Sequence, residues 1–290
     1  MLLARIAEQS EQYDDMIELL RPHFEQRKDP GDLTSEERNV LCVAYKNAVG
    51  MRRIAWRAAK AASKIGKYNR MGAGYEREMA GYVKRLEEEL VNMCKDMLNL
   101  ITKVLLPKAK KAQAFEGEVF YLKLQGDYFR YVAEVGEGDR LEKATERALN
   151  SYNSAMERAD ETALSHADPT RLALLLNFSV FLHENLSNKE QALEMASQAH
   201  ENALIELGNL DKSKSQEAAT VLEFIRENIK LWKSGGGPAK AGSALPLEGG
   251  HKKNMFSQQD SEAQFINQED DEEEDEEEYG EEESGQHGEY

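Results

Sequence analysis

Four cations fall into two pairs seven residues apart: Lys46 with Arg53 in LCVAYKNAVGMRRIAWR, and Lys123 with Arg130 in VFYLKLQGDYFRYVAEV. Seven residues make almost two α-helical turns, so the members of each pair point the same way, about 10 Å apart along the axis. Tyr131 adds a hydroxyl beside Arg130. Two helices that each carry such a pair, and are otherwise apolar, can form a small basic pocket. Its chemistry suits a phosphate dianion held by guanidinium groups better than it suits catalysis. Two asparagines extend the pattern, Asn177 within LALLLNFSVFLHENL and Asn228 within ATVLEFIRENIKLWKS. An amide side chain offers a donor and an acceptor, matching the alternating N–H and C=O groups of an extended peptide. Leu176, Val180, Val221, Phe224 and Leu231 are expected to form the opposite, apolar wall. An unphosphorylated serine would leave the desolvated cations unpaired, and discrimination would arise from that penalty as much as from attraction.

The elements that must position these residues are helical. No segment sustains period-two alternation, and apolar residues recur at helical spacing almost throughout. The pattern predicts about nine helices near residues 2–12, 14–27, 35–64, 70–105, 115–135, 139–161, 169–185, 188–206 and 213–232. Thr34 with Glu37, Ser187 with Glu190 and Ser213 with Gln216 read as capping boxes. Asp168 precedes Pro169 as an N-cap before a proline at the first helical position. Asp29-Pro30-Gly31 reads as a turn, Leu106-Pro107 as the end of a long helix, and Pro22 as a kink or late start. Short connections imply antiparallel neighbours, hence an all-α array of stacked hairpins without a regular repeat.

The formal charge of −17 over 290 residues is concentrated at one end. Residues 234–290 hold 17 Asp and Glu against 3 Lys, so residues 1–233 are close to neutral. The chain therefore divides into a helical domain, 1–233, and a Gly/Ser/Pro linker with an acidic tail, 234–290, whose few apolar residues predict disorder. That tail could solubilise the chain or compete for the cationic pocket as a tethered anion. Cys42 and Cys94 follow no metal or redox spacing and read as free, buried thiols of a reducing compartment. Neither a signal peptide nor a bilayer-length apolar run is visible, which predicts a cytoplasmic protein, with the nucleus also open to it.

RNVLCVAYKNAVGMRRIAWR, VFYLKLQGDYFRYVAEV, LLLNFSVFLHENL and IRENIKLW together resemble the most characteristic segments of the 14-3-3 adaptor proteins, in order, from about Ile6 to Trp232. The resemblance implies a nine-helix, cup-shaped superhelical protomer, a homodimer or heterodimer, and an amphipathic groove for phosphoserine or phosphothreonine peptides. By matching motifs, the family's phosphate cluster falls on Lys46, Arg53, Arg130 and Tyr131. Its peptide contacts fall on Asn177 and Asn228, with Glu184, Trp232 and Lys123 as further groove residues. A dimer seam is implied at Ile6, Ser10, Asp15, Tyr82, Arg85 and Glu89. Two positions depart from the family. Ala55 stands where many members carry a phosphorylatable serine that weakens the dimer, and Gln12 replaces an Arg that would pair with Glu89.

The expected function is a non-catalytic dimeric adaptor for phosphorylated client proteins, with no cofactor, no metal, no nucleic acid and no membrane insertion. The alternative is an acidic chaperone or histone-binding protein working through residues 269–283. Catalysis finds no support, since no phosphate loop, zinc spacing or nucleophile elbow occurs and the six His are scattered without an i, i+4 pair.

Overall fold

The computed structural model describes residues 2–27, 31–64 and 73–235. The Asp29-Pro30-Gly31 turn and residues 70–72 of the predicted fourth helix fall in whole or part outside these, as do the tail beyond Gly235 and the tail-centred alternative.

Among the described residues there are nine successive helices and no strands. They are α1 (Leu2–Gln9), α2 (Tyr13–Glu25), α3 (Ser35–Ala62), α4 (Ala73–Leu100), α5 (Phe115–Glu134), α6 (Asp139–Glu161), α7 (Pro169–Glu184), α8 (Lys189–Glu206) and α9 (Lys212–Lys233). Each packs on the next in sequence, as stacked hairpins require. The apolar face of each supplies the packing. α7 differs, being mostly apolar on every side and buried from Arg171 to Leu182 except at Ala173, by contact with α5, α6, α8 and α9. A helix without a polar face is stable only when surrounded.

Local signals decide the ends. Thr34 forms the capping box on α3, its hydroxyl accepting from the Glu37 N–H while the Glu37 carboxylate accepts from the Thr34 N–H. Asp168 caps α7 by accepting from the Thr170 N–H at 2.9 Å, with Pro169 at the first turn. The other two predicted boxes are corrected. Asn188 and Asp211 are the N-caps of α8 and α9, their side-chain Oδ1 atoms accepting from the backbone N–H groups of Gln191 and Lys214 in the first turn. Ser187 sits instead at positive φ.

Leu106-Pro107 is also not a helix end. α4 runs through a π-helical turn, Ile101–Leu105, into Leu106–Ala112, where the proline occupies a first-turn position that needs no N–H donor. Gln113, in the left-handed region, ends that segment. α2 starts at Tyr13 with Pro22 inside it, so no late start occurs. Cys94 is buried, whereas Cys42 is partly exposed, correcting half of the buried-thiol expectation; both are free.

The tightest seam joins α5 to α6. Small residues Ala144, Ala148, Ser151, Ala155 and Ala159 line the buried side of α6 and let the helices approach. Gly126 of α5 faces the Tyr152 ring so closely that an added Cβ would lie 2.6 Å from its Cε1. Tyr152 cannot yield, being fully buried and stacked on Phe178 at 5.2 Å. Gly126→Ala should therefore destabilise by about 1–3 kcal/mol through overpacking. Gly50→Ala on α3, where nothing lies within 4 Å of the new Cβ, should stabilise by about 0.5–1 kcal/mol. Urea denaturation of both variants against the parent checks the pair.

Candidate functional site

The site is organised along α5. Lys123, Asp127, Arg130, Tyr131 and Glu134 recur at helical spacing, and all but Glu134 are buried. Asp127 joins three helices. Its Oδ2 pairs with Lys123 Nζ at 2.9 Å, and its Oδ1 accepts from Tyr152 Oη of α6 and Asn177 Nδ2 of α7, both at 2.7 Å. Burial disfavours the Lys123 ammonium, but the adjacent Asp127 carboxylate prevails and raises its pKa, so Lys123 is a fixed cation.

The arginines meet around Tyr131. The guanidinium carbon of Arg53 lies 4.4 Å from the centre of the Tyr131 ring and that of Arg130 lies 4.9 Å from it. The aromatic face thereby holds two like charges near each other through cation–π attraction. Glu134 takes Arg53 Nε at 2.6 Å on one oxygen and Arg57 Nε at 2.7 Å on the other. Its burial favours the neutral acid, yet Arg53 and Arg57 outweigh this and lower its pKa.

Arg130 is 6% exposed, and its Nε and Nη2 have no hydrogen-bond partner among the described residues. Burial opposes its charge, but the neighbouring Tyr152, Tyr131 and Asp127 raise its pKa overall. The expectation that all the cations lie unpaired without a ligand is thus corrected. Lys123 and Arg53 have carboxylate partners, and the unmatched donors are those of Arg130. Two parallel donors on a buried guanidinium match two oxygens of one anion.

Lys46 stands half-buried on α3. Burial is the main cause that brings its pKa down to about 8; Cys42 opposes this and the like charge of Lys123 adds to it.

A second cluster lies further along α7 and α9. Asn177 and Asn228 are both buried, as are Leu176, Val180 and Val221, while Phe224 and Leu231 are partly exposed. Leu176 and Val221 belong to one packed cluster with Leu172, Leu222 and Ile225, so this part of the expected wall also serves as core. His183 stacks on Trp232 with ring centres 4.7 Å apart and planes 11° from parallel. Burial lowers its pKa, and Glu184, the next residue, is exposed. Neither His183 Nδ1 nor Trp232 Nε1 has a hydrogen-bond partner among the described residues.

Sequence reasoning missed Asp127, Glu134, Arg57, Tyr152 and His183. A signal existed for two of them, because Asp127 follows Lys123 and Glu134 follows Arg130 at i, i+4, where opposite charges meet on a helix.

The residues of the implied dimer seam are mostly exposed. Ile6 and Tyr82 are 52% and 43% exposed, and Leu2 and Leu3 extend the apolar surface of α1. Ser10 Oγ donates to the Ile6 carbonyl at 2.9 Å, Asp15 is exposed, and Arg85 lies over the Tyr82 ring and 3.8 Å from Glu89.

The described residues form an all-helical domain in which a half-buried Arg53 and a buried Arg130 converge on one aromatic ring. Comparison with known proteins narrows this. The 14-3-3 protein family model matches residues 3–233. Among curated relatives, 14-3-3 protein I of Plasmodium falciparum is 40% identical over 238 residues, covering 80% of this chain and 87% of that protein. The 14-3-3-like protein 2 of Caenorhabditis elegans is 39% identical over 232 residues, 80% of this chain and 89% of that protein. The 14-3-3-like protein A of Hordeum vulgare is 37% identical over 254 residues, 86% and 95% respectively. The chain belongs to the 14-3-3 family.

Removing the carboxylate that joins α5, α6 and α7 leaves a buried ammonium without its counter-charge. Asp127→Ala should cost about 3–5 kcal/mol, and Asp127→Asn, which keeps hydrogen-bonding capacity, should cost less. Guanidinium chloride melts followed by far-UV circular dichroism measure both.

Proposed function

We propose that this protein is a non-catalytic adaptor that binds phosphoserine or phosphothreonine segments of client proteins. Lys46, Arg53, Arg130 and Tyr131 take the phosphate. Asn177 and Asn228 hold the peptide backbone, with Lys123, Glu184 and Trp232 beside it and Leu176, Val180, Val221, Phe224 and Leu231 forming the apolar wall. The observation that carries this reading is Arg130, a buried guanidinium with two unpartnered nitrogens next to Arg53. A buried charged donor without a partner costs on the order of 1–3 kcal/mol, and a phosphate dianion relieves it. Lys123 acts through Asp127 as a fixed positive charge.

The functional unit is a dimer, of this chain with itself or with a paralogue, across Ile6, Ser10, Asp15, Tyr82, Arg85 and Glu89. The exposed apolar residues of α1 and Tyr82 support that placement. Two grooves then hold two phosphosites of one client, the second engagement being intramolecular. Among the described residues no helix is long and apolar enough to cross a membrane, in keeping with work in the cytoplasm.

Isothermal titration should detect a singly phosphorylated peptide and not its unphosphorylated twin. Combined Arg53→Ala and Arg130→Ala should abolish that difference; binding that persisted in the double variant would refute the assignment.

A pH dependence follows from Lys46. Above about pH 7 the phosphate is already dianionic. Lys46, with Lys123 and Cys42 as its charged or titratable neighbours, titrates at about 8 in the free protein and is held charged by a bound phosphate. Affinity is therefore full below that value and falls as pH rises through it. We expect a loss on the order of 10-fold between about pH 7 and pH 9.5. Lys46→Arg, charged throughout, should flatten that limb of the titration.

A further inference from the structure

The four helices to which the groove is assigned, α3, α5, α7 and α9, are joined near their N-terminal ends by one chain of alternating charges. Glu116, in the first turn of α5, accepts from Arg38 Nη2 of α3 at 3.1 Å on one oxygen and from Lys214 Nζ of α9 at 3.2 Å on the other. Lys214 also donates at 3.0 Å to Oδ2 of Asp168, whose Oδ1 caps α7. At the other end of the chain Arg38 pairs with Asp32 at 3.3 Å, and Asp32 accepts from the buried Tyr121 of α5 at 2.7 Å. Gly117 leaves room for this, since a Cβ there would run into the Asp32 carboxylate. α9 packs on α7 and α8, and the Lys214–Glu116 pair adds a direct link from it to α5. An isolated, partly exposed pair contributes little, but the shielded Arg38 and Asp168 connect this one into a network.

We propose that this chain of charges is a clasp that sets the spacing between the α3–α5 side and the α7–α9 side of the groove, with Lys214 as a positioning residue for peptide binding. On the phosphopeptide reading, on which the clasp's role rests, the phosphate lies on α3 and α5 while Asn228 and part of the apolar wall lie on α9. Fourteen residues of helix separate Glu116 from Arg130 and Lys214 from Asn228, so the clasp lies about 21 Å along the helices from both. It therefore touches neither the phosphate nor that asparagine and acts only through the placement of the helices. A ligand that meets one side is indifferent to the spacing, whereas a ligand that bridges both sides is not. With the clasp closed, the two sides are held ready for an extended segment before it arrives, which removes an ordering cost from binding. With the clasp broken, α9 keeps its packing on α7 and α8 but loses its direct link to α5, and the cost returns to the peptide alone.

The test compares two probes on the full-length protein. N-acetyl-phosphoserine amide engages the phosphate side alone, and a phosphoserine peptide of about ten residues, ~33 Å when extended, reaches both sides. Lys214→Met should weaken the peptide by about 3- to 10-fold and leave the small probe within about 2-fold, as read by calorimetry for the peptide and NMR titration for the amide. Lys214→Arg, which can serve both carboxylates, should restore the peptide. Glu116→Gln should reproduce the loss, and the double variant should lose less than the sum of the two, since both changes remove one link. An unchanged peptide affinity, a loss shared equally by the two probes, or losses that simply add overturn the clasp. A parent protein that binds no phosphopeptide refutes the phosphopeptide reading and the clasp with it. Peptide binding that ignores Lys214 and Glu116 refutes the clasp alone.

Discussion

One buried carboxylate holds the centre of this protein together. Asp127 divides its two oxygens among an ammonium, a phenol and an amide drawn from α5, α6 and α7. In a low-dielectric interior such an arrangement is costly unless every member is satisfied, and fully satisfied it admits one geometry only. The tight α5–α6 seam exists to serve it. Gly126 lies one residue before Asp127, and its missing side chain lets the Tyr152 ring come close enough for its hydroxyl to reach the carboxylate. The registers of α5, α6 and α7 are thus fixed by polar contacts as well as by the apolar packing around them.

That registry sets the electrostatics of the arginine cluster. Tyr131 receives two guanidinium groups on its ring, and Glu134 shares its single negative charge between Arg53 and Arg57. Arg130 is treated differently. It is more buried than Arg53, and its own partners leave two nitrogens unmatched. The protein therefore stores a local deficit of acceptors at Arg130, while Lys123, Arg53 and Arg57 are already paired with carboxylates. A ligand that supplies two oxygens recovers that deficit without requiring the surrounding side chains to let go of their partners. Binding built this way is selective for an anion over a neutral hydroxyl, because the hydroxyl cannot fill both positions.

Helix positions were largely legible in the sequence, because apolar spacing at 3.6 residues is a direct consequence of burying one face. The errors lay where two local signals compete. Ser187 and Ser213 resembled caps, yet the adjacent Asn188 and Asp211 hold the first-turn N–H groups. Leu106-Pro107 resembled a stop, yet a proline in the first turn after a π-helical turn interrupts no hydrogen bond. In the site, the cations were legible from their i, i+7 spacing, whereas the anions were not. Asp127 and Glu134 were passed over, because their i, i+4 spacing from Lys123 and Arg130 is one that ordinary surface pairs share, and only burial, which depends on α6 and α7, turns Asp127 into the organising group. Tyr152 and His183 make their contacts across long sequence separations that no local pattern encodes.

The two amines of the cluster are not equivalent. Lys123 is buried against a carboxylate that raises its pKa, whereas Lys46 is half-buried near a like charge, and burial is the largest cause of its lowered pKa. On the phosphate-binding reading proposed above, an arriving dianion would reverse that balance, and part of the binding energy would be taken up in holding the proton on Lys46. Affinity would then be coupled to proton uptake at that nitrogen, while Asp127 holds Lys123 as a cation throughout.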